Sequence, residues 1–293
     1  MAQNKLIWQS KLVMLLVLPF AAAGIVLQVH WWTSYVSQVA IWTIGLSLLF
    51  GLVAWKTRSA TPAAAVAGAA ITASVMFSTS SVPYEPWRTA LLPVLAVLAL
   101  TTLTTRAGRN HKERLGTAEE HRGRGASQVA ANLGVAALTS NDLVQSWLLD
   151  QPWLSQLFLT PHLLFAAGLA ALAEAAADTV SSEAGQVLDG QPRMITTLKR
   201  VTPGTDGAVS LAGTVTGIIA AGIVAGVGAF ALRGGMEMFW IASAGAVFGL
   251  FFDSLLGATL ERIDWLNNDA VNFLSTASAA AFAMGLLAVL KHP

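Results

Sequence analysis

Three carboxylates, Glu174, Asp178 and Glu183, follow a strongly apolar run with no basic residue between them, in AEAAADTVSSEAG (173–185). Glu174 and Asp178 are four residues apart, so on a helix they share one face. Like charges held there repel, and one member must be protonated or a cation must sit between them. Mg²⁺ is the natural cation, since it takes one or two carboxylates and completes its shell with phosphate oxygens. A simpler expectation is a helix that emerges into water and ends in solvated acids. Carboxylates at a helix C-terminus oppose the macrodipole, which weighs against it. Glu183, beyond the shared face, is expected to be such a solvated acid.

A second acid, Asp253, lies inside an apolar segment, where a carboxylate is a functional candidate by default. Close behind it, Asn268 and Asn272 stand one turn apart, with Asp269 as an expected helix cap. A third element, LKRVTPGTDGAVS (198–210), places Lys199 and Arg200 before a Pro-Gly-Thr turn. A glycine-rich turn opening a helix offers backbone N–H groups and a positive dipole end to phosphate. Gly204, Thr205, Gly207 and Ser210 are the candidate contacts there, and Asp206 can cap the helix instead. No GK[ST] follows, so this is not a Walker A loop. In RGRGASQVAANLG (122–134), Arg122 and Arg124 stand at a helix start, and Gln128 and Asn132 share one face. The five histidines show no ligand spacing, neither GxSxG nor HExxH occurs, and the chain has no cysteine. Disulfides and thiolate chemistry are thereby excluded, and serine-hydrolase or zinc-protease readings lack support.

The elements that must hold these residues are membrane helices. Of 293 residues, 55% are hydrophobic and only 11% charged, against roughly 25% charged in ordinary soluble domains. Continuous apolar runs predict an all-α, polytopic transmembrane helical bundle rather than a barrel. Nine segments are expected, at 8–29, 35–55, 61–82, 87–105, 125–140, 156–180, 207–232, 236–260 and 269–290. The fifth is short enough to be a buried or half-spanning helix. The first is read as an uncleaved span, followed by Trp31 and Trp32 at an interface. With the N-terminus in the cytoplasm, all 17 basic residues except Arg88, Arg233 and Lys291 fall inside, a strong positive-inside bias. The organisation expected is a four-span region (1–105), a mixed-charge cytoplasmic loop (106–124) and a motif-bearing core (125–293). GTVTG (213–217) and GAVFG (245–249) are GxxxG patterns, read as helix packing and as a possible route to oligomers. The net charge of +1 gives no reason to expect nucleic acid.

Taken in order, RGRGASQVAANLG, ADTVSSEAG, KRVTPGTDGAVSLAGTVTG, DSLLGATLE and NDAVNFLS resemble one integral membrane family, that of plant phytyl-phosphate kinase and animal transmembrane protein 19. The resemblance covers roughly 122–275. Arg200 stands where a second lysine is frequent, and Asp206 replaces a small residue. What the resemblance implies is phosphoryl transfer from a nucleoside triphosphate, by expectation CTP, to an isoprenyl monophosphate such as phytyl phosphate. Under that reading Glu174, Asp178 and Asp253 hold Mg²⁺, and Lys199, Arg200 and the 203–207 turn hold the triphosphate. Arg122 and Arg124 grip the acceptor phosphate with Gln128 and Asn132 nearby. Ser182, Ser210, Asn268 and Asn272 contact the nucleotide or support the metal, and Asp178, Asp253 and Lys199 are the catalytic candidates. The expected setting is the cytoplasmic face of a membrane, the inner membrane if the source is prokaryotic. A cytidylyltransferase leaving CDP on the lipid is one alternative. A transporter or lipid-handling protein without chemistry is another.

Overall fold

The computed structural model describes residues 6–116, 123–151, 161–188 and 191–291. The helices are α1 (Ile7–Tyr35), α2 (Ser37–Lys56), α3 (Pro62–Ser78), α4 (Leu91–Arg106), α5 (Arg109–Leu115), α6 (Ala126–Ser140), α7 (Asp142–Leu149), α8 (Pro161–Leu188), α9 (Leu211–Ala231), α10 (Gly235–Leu256) and α11 (Asn268–Lys291). Each of the nine expected segments carries one long helix. Six of these are long and apolar enough to cross a membrane by themselves, namely α1, α2, α8, α9, α10 and α11. With 17 and 16 residues, α3 and α4 are shorter, reaching about 24–26 Å at 1.5 Å per residue.

The fifth segment, α6, resolves the ambiguity left by its length. Its 15 residues rise only about 22 Å, less than the ~30 Å hydrocarbon core. It is buried from Ala130 to Ala137. At its end Asn141 caps α7, accepting from the Leu143 N–H at 3.0 Å. The same side chain donates to the Phe20 carbonyl, midway along α1, at 2.8 Å. A part-spanning helix thus finishes inside the bundle, where every polar group needs a protein partner.

Several boundaries differ from expectation for physical reasons. Helix α1 continues through both tryptophans. Trp32 is buried against Val39, Ala40 and Phe77, while Trp31 stays exposed, so only one of the pair faces outward. Helix α9 starts after Ser210, whose hydroxyl accepts from the Gly213 N–H at 3.0 Å. Ser210, not Asp206, is therefore the cap. The fold is not purely helical, since Arg193–Met194 (β1) and Ala208–Val209 (β2) form an antiparallel pair. The 106–124 segment is more than a solvated loop. It contains α5, whose Lys112 is among the most buried side chains of the molecule. The four-span region is not a separate body, because one continuous core takes Val17, Phe50, Ile71 and Val94 together with Leu133, Leu169, Val224 and Ala246.

Small residues set how closely this core packs. A Cβ at Gly217 would lie 2.9 Å from the Ala177 carbonyl, and one at Gly245 would lie 2.6 Å from the Ala279 carbonyl. Both GxxxG patterns are consumed inside the chain's own bundle, α9 on α8 and α10 on α11. These four glycines are therefore taken up by packing within the chain.

Candidate active site

Helices α8, α10 and α11 bring the intramembrane acids together. Asp178 on α8 and Asp253 on α10 stand close enough to share a hydrogen bond. Ser275 of α11 lies against both the Glu174 and the Asp253 carboxylates. Glu174 is buried, with Oε1 unpartnered, as is the Oδ2 of Asp253. The approach of α10 depends on Gly249, where a Cβ would come within 2.6 Å of Glu174 Cγ. Among the described residues, however, no three acid or histidine side chains are arranged as a ready-made metal cage. Asp178 and Asp253 are the pair that lines the adjoining cavity, with Glu174 one turn deeper on α8. Such a pair still fits Mg²⁺, which needs only one or two carboxylates beside phosphate oxygens. The orphaned Asp253 oxygen is the group a cation would satisfy.

The acids open onto a cavity of about 360 Å³. Its walls contain Asp178, Ser182, Ser210, Asp253, Asn268 and Asn272, together with the whole 203–208 turn. The sequence-predicted residues of four separate motifs therefore meet in one place. Gly204 (φ +81°) and Gly207 (φ +73°) hold the turn in the left-handed region, which glycine adopts without strain. A Cβ on Gly207 would collide with the Ala258 backbone, and one on Gly257 would sit 2.7 Å from the Gly207 nitrogen. Two glycines thus let the turn rest directly on the π turn, Gly257–Glu261, that ends α10. Asp206, at the cavity edge outside the spans, has its carboxyl pushed up by burial and pulled back by Arg262. No basic side chain lines this cavity among the described residues.

Other candidates lie elsewhere. Lys199 and Arg200 are exposed on the hairpin and do not line the cavity. Arg122 falls outside the described residues. Gln128 is spent on the start of α6, its side-chain oxygen accepting from the Gly125 N–H at 2.8 Å. Asn132 donates to the Gln128 carbonyl at 2.9 Å, so its partner is its own helix. Arg124 is positioned by the neighbouring turn. Its N–H donates to the Ser59 carbonyl and its carbonyl accepts from Thr61. From there its guanidinium donates to Thr179 Oγ1 at 3.4 Å and acts through space on Asp178.

Sequence reading missed Ser275, Gly249, Gly257 and Glu261, which also lines the cavity. Ser275, Gly257 and Glu261 stood inside quoted motifs. Gly249 stood in a GxxxG read only as packing, and that reading holds, since its packing partner is a site carboxylate.

Comparison with known proteins places the chain in a family. Residues 45–280 match the family described as integral membrane protein DUF92, a range that includes every described site residue and extends well before the motifs. An uncharacterised membrane protein of Synechocystis sp. is 35% identical over 210 residues, covering 70% of this chain and 76% of that one. One from Methanocaldococcus jannaschii is 39% identical over 108 residues, 37% of this chain and 45% of its own length. Protein VTE6, chloroplastic, of Arabidopsis thaliana is 34% identical over 110 residues, 36% of this chain and 33% of its own. The chain thus spans less than half the length of the last two. No solved structure matches. With the family range taking in most of its length, this chain belongs to the DUF92 family of integral membrane proteins.

Proposed function

We propose that the protein is a phosphotransferase that moves a phosphoryl group from a nucleoside triphosphate, CTP by preference, to an isoprenyl monophosphate on the cytoplasmic face of the membrane. One observation carries the reading: a glycine turn, an aspartate pair and two asparagines share a polar cavity that no base lines among the described residues. A free polyphosphate would be repelled by Asp178 and Asp253 there. A polyphosphate that arrives with a divalent cation is attracted by the same pair. When bound, Mg²⁺ neutralises charge on the phosphates.

The chain's own residues supply the positioning. The backbone N–H groups of Gly204 and Asp206 and the Ser182 hydroxyl donate to phosphate oxygens, and Asn268 and Asn272 orient the nucleotide. Arg124, beside Asp178, holds the acceptor phosphate. An acceptor oxygen then attacks the γ-phosphorus, the bond to the β-bridging oxygen breaks, and the nucleoside diphosphate leaves. A phosphate monoester is already ionised at neutral pH, so no general base is needed. Most of the rate must therefore come from positioning and electrostatics.

Purified protein incubated with phytyl monophosphate, CTP and Mg²⁺ is expected to yield the diphosphate and CDP. Mass spectrometry of the lipid product checks this. A CDP-lipid with released pyrophosphate would assign a cytidylyltransferase instead, and an unchanged acceptor with every nucleotide removes the reading. A second expectation concerns the turn. Gly207→Val forces a β-branched residue to positive φ and against Ala258, a strain of about 1–3 kcal/mol. The KM for nucleotide is expected to rise about tenfold or more, with the KM for acceptor nearly unchanged, as steady-state kinetics would show. An equal rise in both would separate the turn from the nucleotide.

A further inference from the structure

Against α8 also lies a second cavity, of about 200 Å³, walled by α2, α3, α4 and α6. Its interior is mainly apolar, with Phe50, Ala64, Val94, Val97 and Leu98, and Thr101 and Asn132 add polar groups to the wall. Its mouth carries four arginines, Arg58, Arg106, Arg109 and Arg124, of which Arg109 is paired with Glu113 at 2.9 Å and Arg106 donates to the Thr57 carbonyl, and no carboxylate lines the cavity itself among the described residues. These arginines come from three different connections of the chain. Arg58 follows α2, Arg106 ends α4, Arg109 begins α5 and Arg124 precedes α6. Along α4 the distance from Arg106 to Val94 is twelve residues, about 18 Å of helix. A cation cluster at one end of a deep apolar slot is the negative image of an amphiphile with an anionic head. The inner wall includes Ala175, one turn before Asp178 on the helix that carries the acids. Arg124 belongs both to this mouth and to the surroundings of Asp178.

We infer that this cavity seats a single-chain alkyl phosphate monoester, with its tail between α2, α3 and α4 and its phosphate on Arg58, Arg106 and Arg124. The volume suits one chain rather than two, being below the roughly 300–1,000 Å³ of ordinary ligand pockets. A larger groove of about 530 Å³ on the α2–α3 face is lined without a single charge, so nothing there selects a phosphate. The inference deepens the phosphotransferase reading and rests on it for the acceptor's role as substrate. The N-terminal spans α2, α3 and α4 then form the tail site, and Arg124 delivers the head to the acids across α8.

The test needs no turnover. The full chain, in nanodiscs of uncharged phosphatidylcholine and without nucleotide, is exposed to a dodecyl phosphate carrying a terminal photoreactive diazirine. Labelled peptides are then mapped by mass spectrometry. The label is expected on Phe50, Val97 or Leu98 and should be competed by plain dodecyl phosphate. Inorganic phosphate, dodecanol and two-chain phosphatidic acid should compete at least tenfold less well. Arg58→Asn with Arg106→Gln removes two exposed charges, Asn being suited to the positive φ of residue 58. This pair is expected to cut labelling at least tenfold while the unfolding midpoint stays in place. Val97→Phe, which fills the slot, should do the same with the arginines intact. Label scattered over lipid-facing residues, or pocket label insensitive to competitor and to the arginine pair, overturns the inference. Pocket labelling in a protein that forms no product leaves the inference standing and removes the phosphotransferase reading. Turnover without pocket labelling does the reverse.

Discussion

Asp178→Asn is expected to lower phosphoryl transfer by on the order of 10³-fold, the scale seen when one preorganised electrostatic group is lost from a reacting centre. The substitution is nearly isosteric and removes one of three mutually repelling carboxylates, since Glu174, Asp178 and Asp253 act on one another through space. The fold should therefore tolerate it, and the unfolding midpoint should stay level or rise. Asp253→Asn should reproduce the loss, because both members of the pair are needed to hold a cation. Asp264→Asn is the control. Asp264 is exposed, outside the cavity and at positive φ, a conformation that asparagine shares. Rates with acceptor and nucleotide saturating, alongside thermal unfolding, check all three variants. Full turnover in Asp178→Asn would sink the assignment of the aspartate pair. Transport of an ion or lipid without product, lost in the same variants, would move the protein to the non-enzymatic class.

Lys112→Met is expected to cost about 3–5 kcal/mol, the range for removing one partner of a buried ion pair. Lys112 Nζ is 2.6 Å from Glu183 Oε2, with side-chain exposures of 1% and 14%. The ammonium also donates to the Thr104 and Thr105 carbonyls at 3.0 and 2.7 Å. Methionine keeps the length of the side chain and removes the charge, so the carboxylate and both carbonyls lose a donor together. The free energy appears either as a lower unfolding midpoint or as local release of α5 from α8, where Gly108 packs against Val187. Hydrogen exchange over 104–115 distinguishes the two. Adding Glu183→Gln should recover part of the loss, since the buried unpaired charge is then gone. Unchanged exchange and an unchanged midpoint in Lys112→Met would show that the pair does not hold α5.

The membrane class and the nine helical segments were legible in composition and hydropathy, because lipid requires long apolar helices that satisfy their own backbones. Much of the cavity was legible too. Asp178, Asp253, Ser182, the 203–207 turn, Ser210 and the two asparagines were singled out one motif at a time, and they line one cavity. The misses have a common origin. Gln128 has the right chemistry for a ligand, but the start of α6 claims its side-chain oxygen first, and Asn132 faces the other cavity. Lys199 and Arg200 have the right charge, but they sit beyond the strand pair that turns them outward. Sequence spacing reports which residues share a helix face and is silent on which faces meet.

AEAAADTVSSEAG shows the division within a single segment. Its sequence alone determined that Glu174 and Asp178 share a face at the edge of an apolar helix and that no local base answers them. Tertiary structure decided the partners, and decided them differently for each acid. Glu183, expected to be solvated, is paired with Lys112 from a segment 71 residues away. Asp178 meets Asp253 and lies under the influence of Arg124, and Glu174 is sealed between Gly249 and Ser275. The physical reason is that a charge in low dielectric must be met by whatever group packing brings within a few ångströms. Packing of α5, α6, α10 and α11 on α8 is a property of whole helix surfaces, which thirteen residues do not contain.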